Sequence, residues 1–244
     1  MAGYEIIPEG DSAVLVVFGD QISPEINRKV TATADGIREA QIPGVTDMIP
    51  AYCSLLIQYD PLRISYESLR ERIGDTVSKN RDRAKNFRRM IQIPVCYGGE
   101  YGPDLEKIAE HAGLNTEEVI RIHSERDYLV YMLGFLPGFC YLGGLDERIH
   151  TPRLRTPRLR IPAGSVGIGG TQTGIYPMDS PGGWQLMGRT PVRAYDQNRK
   201  QPILFQAGDL IRFVPIGAEA YRQISREIEN GNWQPVVSES AETE

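Results

Sequence analysis

The sequence is sparing with the residues that metal binding and covalent catalysis most often use. Its 244 residues include three cysteines and three histidines. Cys53, Cys96 and Cys140 stand far apart, in neither a metal-binding spacing nor a disulfide framework, which suits a reducing cytosol. His111 and His123 fall on separate predicted helices with no acidic or cysteine ligand at a fitting offset, so no zinc signature forms and no metal site is expected. A surface or hydrogen-bonded core position is the default for each histidine, and His150 stands out only because it borders a glycine-rich segment. No serine occupies a nucleophile-elbow sequence, which leaves no Ser-His-Asp arrangement to propose. Long apolar runs are missing too. The longest, Ala13 to Phe18, is far short of a membrane span, and Met1 to Asp11 has neither the basic start nor the apolar stretch of a secretory signal. A cytoplasmic protein without a membrane segment is the expectation. Lysine is scarce as well: five lysines face 22 arginines, with none between Lys107 and Lys200. The net charge of −5 argues against a nucleic-acid partner, which would call for excess positive charge.

What is present divides the chain in two. Apolar stretches at Tyr4 to Ile7 and Ala13 to Phe18 flank a turn at Pro8-Glu9-Gly10-Asp11. Ser23 followed by Pro24 opens a helix on which Ile26, Val30 and Ile37 recur, with Pro43 and Gly44 ending it. Strands at Val45 to Ile49 and Cys53 to Gln58 follow. A second helix from Ser65 carries Tyr66, Leu69, Ile73 and Val77 on one face. Strand-strand-helix-strand-strand-helix makes a small α+β domain over residues 1–85. The basic, aperiodic stretch Asn80 to Arg89 reads as a linker.

Residues 86–230 have a different texture. Two short helices, Asp104 to His111 and Thr116 to His123, hinge at Gly113. Their spacing evokes a helix-turn-helix, but Glu117 and Glu118 would meet phosphates head on, so a capped helical hairpin is the better reading. Between Gly134 and Pro191 lie 12 of the 25 glycines and 7 of the 17 prolines, which excludes long helices and predicts the short strands and tight turns of a barrel or sandwich. Ile203 to Gln206 and Leu210 to Val214 suggest a hairpin around Ala207-Gly208-Asp209. Ala218 to Glu229 reads as an amphipathic helix, and residues 231–244 as a polar tail, expected to be disordered.

Candidate chemistry collects in the loops of the second half. Gly167 to Gly174 lacks the Lys-Ser/Thr of a Walker loop and does not open a helix in the GxGxxG manner. Its glycines either let backbone amides approach a ligand, with Thr171, Gln172 and Thr173 adding neutral donors and acceptors, or simply turn a barrel corner. Tyr176, Ser180, Trp184 and Gln185 surround a Pro-Gly turn, and Phe135 to Phe139 repeats the theme, so these loops could wall a small-ligand pocket. Arg153, Arg155, Arg158, Arg160 and Arg189 are candidate anion holders, of which one or two should matter. Thr-Pro-Arg-Leu-Arg occurs twice in succession, at Thr151 to Arg155 and Thr156 to Arg160, and reads as a bent edge segment with solvated arginines.

Several stretches resemble a known family. They are GDSAVLVVFGDQIS (Gly10 to Ser23), AYCSLLIQYDP (Ala51 to Pro61), IPVCYGGEYGPDLEKIA (Ile93 to Ala109), YMLGFLPGFCYLGGLD (Tyr131 to Asp146), PAGSVGIGGTQTGIYPMDSPGGWQLMGRTP (Pro162 to Pro191) and AGDLIRFVPI (Ala207 to Ile216). Together they resemble the family of the 5-oxoprolinase B subunit and KipI, which includes proteins labelled allophanate hydrolase subunit 1 and is related to subdomains C and D of the urea carboxylase carboxyltransferase. The resemblance implies an α+β N-terminal domain followed by a mainly β, cyclophilin-like barrel. It further implies a cytoplasmic subunit acting with a homologous, KipA-like C subunit and a LamB/YcsF-like A subunit, with ATP as co-substrate of the complex, to convert 5-oxo-L-proline to L-glutamate. It carries no catalytic residue over to this chain. Thr171, Gln172, Thr173, Tyr176, Ser180, Trp184, Gln185, Arg160 and Arg189 stand as candidate substrate-binding residues. Two alternatives remain open: an inhibitor that grips a sensor histidine kinase, and a carboxyltransferase component of a urea or allophanate pathway.

Overall fold

Ser23 caps the first helix, its hydroxyl accepting the Ile26 amide at 3.1 Å while Pro24 takes the first helical position. In this computed structural model, which describes residues 3–79 and 87–241, that helix runs Pro24–Ala40 (α1). It closes at Gln41, whose left-handed backbone (φ 44) stops it ahead of Pro43 and Gly44. The surrounding elements are Glu5–Glu9 (β1), Ala13–Val17 (β2), Val45–Pro50 (β3), Ser54–Tyr59 (β4) and Tyr66–Lys79 (α2). They form an antiparallel sheet of order β1-β2-β4-β3, with the two helices packed on each other. Strand alternation sends Val14, Val16, Leu55 and Ile57 into a core with Val30 and Ile37 of α1 and Leu69 and Ile73 of α2.

The chain falls into two compact units, Met1–Asn86 and Phe87–Glu244. Most of the predicted linker, residues 80–86, lies outside the described residues. Its last three positions already belong to Phe87–Tyr97 (β5). The rest of the second unit comprises Leu105–Ala112 (α3), Thr116–Ser124 (α4), Asp127–Leu133 (β6), Cys140–Gly143 (β7), Arg158–Ile161 (β8), Ser165–Gly169 (β9), Gln172–Ile175 (β10), Ser180–Gly182 (β11), Gln185–Arg189 (β12), Leu210–Ile216 (β13), Ala218–Glu229 (α5) and Val237–Ala241 (β14). Seven strands run β12-β9-β10-β7-β6-β13-β5, and β12 pairs back onto β5 to close a barrel. Among the described residues, β5 and β13 make its one parallel pairing. Ile91, Ile93, Val130, Ile168, Ile211 and Phe213 are among the buried residues of its core. The helical hairpin is capped as its sequence predicts: Asn115 accepts the Glu118 amide, and the Glu118 carboxylate accepts the Asn115 amide in return.

Three expectations are corrected here. The hairpin around Ala207-Gly208-Asp209 does not form, because β13 is already flanked by β5 and β6 and has no free edge for residues 203–206. Those residues form a loop in which Ile203 makes one bridge to Tyr195, and the Arg89 guanidinium ties Leu204 O to the Asp209 carboxylate. The tail is not disordered throughout. Closing the barrel engages β5 with β12 only at Cys96 and Tyr97, which leaves the start of β5 open, and β14 pairs there with Val237 opposite Ile91. Residues 242–244 lie outside the described residues. Finally, the repeated Thr-Pro-Arg-Leu-Arg segment is not simply solvated: its second copy runs into β8, where Arg158 and Arg160 both pair with aspartates.

Candidate functional site

The glycine run becomes the β9–β10 hairpin, turned by Gly170 and Thr171. Its glycines make room for an indole. A Cβ on Gly169 would stand 2.2 Å from the Trp184 ring nitrogen, and one on Gly174 would stand 3.2 Å from the same ring. Trp184 packs on this shelf with 5% of its surface exposed, beside Phe139, Ile161, Tyr176 and Leu186. Phe139 and Tyr176 meet it edge to face at 5.7 and 6.0 Å. Trp184 and Tyr176, expected to wall an open pocket, are thus buried against each other in a satellite core.

Thr173 is committed to the interior. His123 is fully buried, with one ring nitrogen 2.8 Å from the Tyr97 hydroxyl and the other 2.9 Å from Thr173 Oγ1, while its ring stacks on Phe213. Burial pushes its pKa down to about 3, so the imidazole stays neutral. This is a hydrogen-bonded core histidine. The other candidates scatter. Thr171 is exposed and Gln172 half-buried on the hairpin. Ser180 is buried on β11 with an unpartnered hydroxyl. Arg160 pairs with Asp179 at the surface, and Arg189 donates to Ala163 O at 2.8 Å.

Asp104 is a residue that sequence reading passed over. This fully buried carboxylate precedes α3 and accepts from Arg158 Nη2 at both oxygens, at 2.8 and 2.7 Å, together with the Leu186 amide at 2.8 Å and Lys107 at 3.1 Å. Burial would raise its pKa, but the Leu186 amide and the Arg158 guanidinium outweigh that and hold it below the usual carboxylate range. The pairing joins α3, β8 and β12 across sequence distances that no local pattern announces.

Beside this tether, α3 and residues 151–155 border an open depression of about 360 Å³. Lys107, His111, Arg153, Arg155 and Gln185 line it. Of the nine candidates, Gln185 alone reaches it. Gln185 Nε2 donates to Pro152 O at 3.2 Å, and its Oε1 is buried without a partner. Among the described residues, no three His, Cys, Asp or Glu side chains are grouped to hold a metal ion, and no helix is long and apolar enough to cross a membrane.

Comparison with known proteins places the chain. Residues 4–205 match the model of the carboxyltransferase domain, subdomain C and D. The chain is 44% identical over 234 residues to the 5-oxoprolinase B subunit of Bacillus subtilis (strain 168), a match spanning 92% of this chain and 98% of that protein. The chain belongs to the 5-oxoprolinase B-subunit family. The 5-oxoprolinase B subunit of Escherichia coli O157:H7 is 41% identical over 207 residues, covering 84% of this chain and 93% of the relative. The crystal structure of the Kluyveromyces lactis urea amidolyase superposes with a TM-score of 0.78 at 23% identity, over 97% of this chain and 16% of that one. That likeness concerns the fold, and the fold agrees: an α+β domain followed by a closed β-barrel is the architecture this family's resemblance implied.

Proposed function

We propose that this chain works in an ATP-dependent 5-oxoprolinase that opens 5-oxo-L-proline to L-glutamate, together with a C subunit and an A subunit. The near full-length identity to curated 5-oxoprolinase B subunits carries this reading. The side-chain chemistry supports it. Among the described residues, the one buried histidine, His123, is hydrogen-bonded on both ring nitrogens, and the reading leaves amide hydrolysis to the assembled subunits. The lactam is an unactivated amide, which is why ATP is needed. Phosphorylating its carbonyl oxygen makes the carbon attackable by water. The C–N bond then breaks, and glutamate, ADP and phosphate result. The reaction draws on cytoplasmic ATP and is completed by residues of the partner subunits. Deleting the gene in its own host is expected to leave 5-oxoproline unconsumed, so that it accumulates in the cells. Normal consumption in the deletion strain contradicts the proposal.

A second reading, carboxyl transfer to urea or a related amide, is favoured by the description of the matching family model. It predicts dependence on a biotinylated partner, so glutamate formation that is indifferent to avidin speaks against it.

A further inference from the structure

Several arginines of the barrel unit pair with carboxylates. Arg89 meets Asp209, Arg126 and Arg148 share Asp146, Arg158 holds Asp104, Arg160 holds Asp179 and Arg212 holds Asp127. Arg153 and Arg155 are among those that do not, and they are set apart by facing one depression. Both are exposed, neither has a carboxylate partner among the described residues, and both line the depression beside α3 together with Lys107 and His111. Among the described residues, none that lines it is acidic. Lys107 does contact Asp104, but that carboxylate is also bound at both oxygens by Arg158 Nη2, so the lining itself keeps a positive surplus.

The wall is also held in place. Thr151 exchanges both backbone hydrogen bonds with Gly170, and the Leu154 amide donates to Gly183 O at 2.6 Å. Arg153 lies 5.9 Å over the Trp184 ring. The opposite wall is fixed because Asp104 ties the start of α3 to Leu186 of β12. Two guanidinium groups are therefore presented on a braced loop, which lowers the entropy cost of gripping a planar anion. Gln185, anchored to the same loop through Pro152 O, retains a buried oxygen with no donor.

We propose that this depression binds the oxyanion of a small molecule, a carboxylate or phosphate, with Arg153 and Arg155 as its principal ligands and Lys107 adding charge. Gln185 borders the same depression. The inference rests on the proposed function for its choice of probes, since 5-oxoproline supplies a carboxylate beside a lactam N–H and ATP supplies phosphates beside ribose hydroxyls.

The test is calorimetric titration of the full chain, at low and at raised salt, with 5-oxoproline, ATP, inorganic phosphate and the uncharged lactam 2-pyrrolidinone. At least one of the three anions is expected to bind, more weakly as salt rises, and 2-pyrrolidinone is not. Preference for 5-oxoproline identifies the carboxylate as the source, and preference for ATP or phosphate the phosphate. Replacing both arginines (Arg153→Gln with Arg155→Gln) is expected to weaken that binding by about tenfold or more. Because both side chains are exposed, the thermal midpoint should stay close to that of the parent. Arg212→Gln, remote in sequence from the loop, should leave the affinity unchanged. Absence of binding by all three anions, or an affinity unaffected by the double replacement, overturns the inference. If glutamate formation persists in either case, the proposed reaction stands without this site. Anion binding in a system that makes no glutamate would leave the site and remove the reaction.

Discussion

At His123 both ring nitrogens are occupied inside the barrel, and the low pKa that burial imposes gives the fold an acid sensitivity. An unfolded chain protonates this histidine near pH 6.5, whereas the folded one refuses the proton until about pH 3. Below pH 6.5 the unfolded state therefore binds more protons, and stability falls with falling pH by up to about 1.4 kcal/mol per unit. Asp104 and Asp146 have lowered pKa values, so their contribution is present above about pH 4 and is lost only below it. The decline between pH 6 and pH 4 is thus the signature of His123, and His123→Gln is expected to flatten it in urea midpoints measured against pH. Trp184 makes a second residue-scale case. Read from sequence as a ligand wall, it is a buried ring, so Trp184→Ala should cost about 3–5 kcal/mol and be seen in thermal melting before it is seen in activity. Gly169→Ala should cost about 1–3 kcal/mol for the complementary reason, since its methyl would strike the indole. The sequence reading offers approach to a ligand or the turning of a barrel corner as the reason for this glycine run. The structure shows close approach by an aromatic ring instead, and only a folded barrel brings Trp184 to that glycine.

Between elements, sequence reading succeeds where the signal is local and fails where it is not. Ser23 with Pro24, Asn115 with Glu118, and the apolar faces of α1 and α2 each announce themselves within a few residues, and those helices form as expected. The crowding of glycine and proline from Gly134 onward correctly signals short strands. Asp104 and Arg158 meet only because β8 and β12 lie beside the start of α3, a juxtaposition with no sequence period. Breaking this pair with Arg158→Ala leaves a buried carboxylate short of its main partner and should cost about 3 kcal/mol, measurable as a lowered denaturant midpoint. The tail misled for a different reason. Its side chains are polar, as in a disordered segment, yet its backbone completes the open edge of β5. Removing residues 237–244 should therefore expose that edge, lower the melting temperature and promote self-association, detectable by light scattering.

For the whole molecule, the chain divides into two units with separate cores, and its loop-rich half lies in the barrel unit. Element order made the α+β unit legible and residue texture the short strands, whereas the choice of a barrel over a sandwich came from the family resemblance. The candidate site was only partly legible. The loops that looked most unusual turned out to be packing devices, while the basic depression beside α3 draws on residues from 107 to 185 that only the barrel brings together. Of the sequence candidates, Gln185 carries over to it, along with the possibility that a couple of arginines remain unpaired for an anion. Activity, on this reading, belongs to the assembled subunits and requires this one. The decisive experiment quantifies glutamate released from 5-oxoproline and ATP by purified subunits, mixed together and with each omitted in turn. Release by the full mixture is expected, and none by this chain alone or by the mixture from which it is left out. Release by the isolated chain, or undiminished release in its absence, rules the reading out.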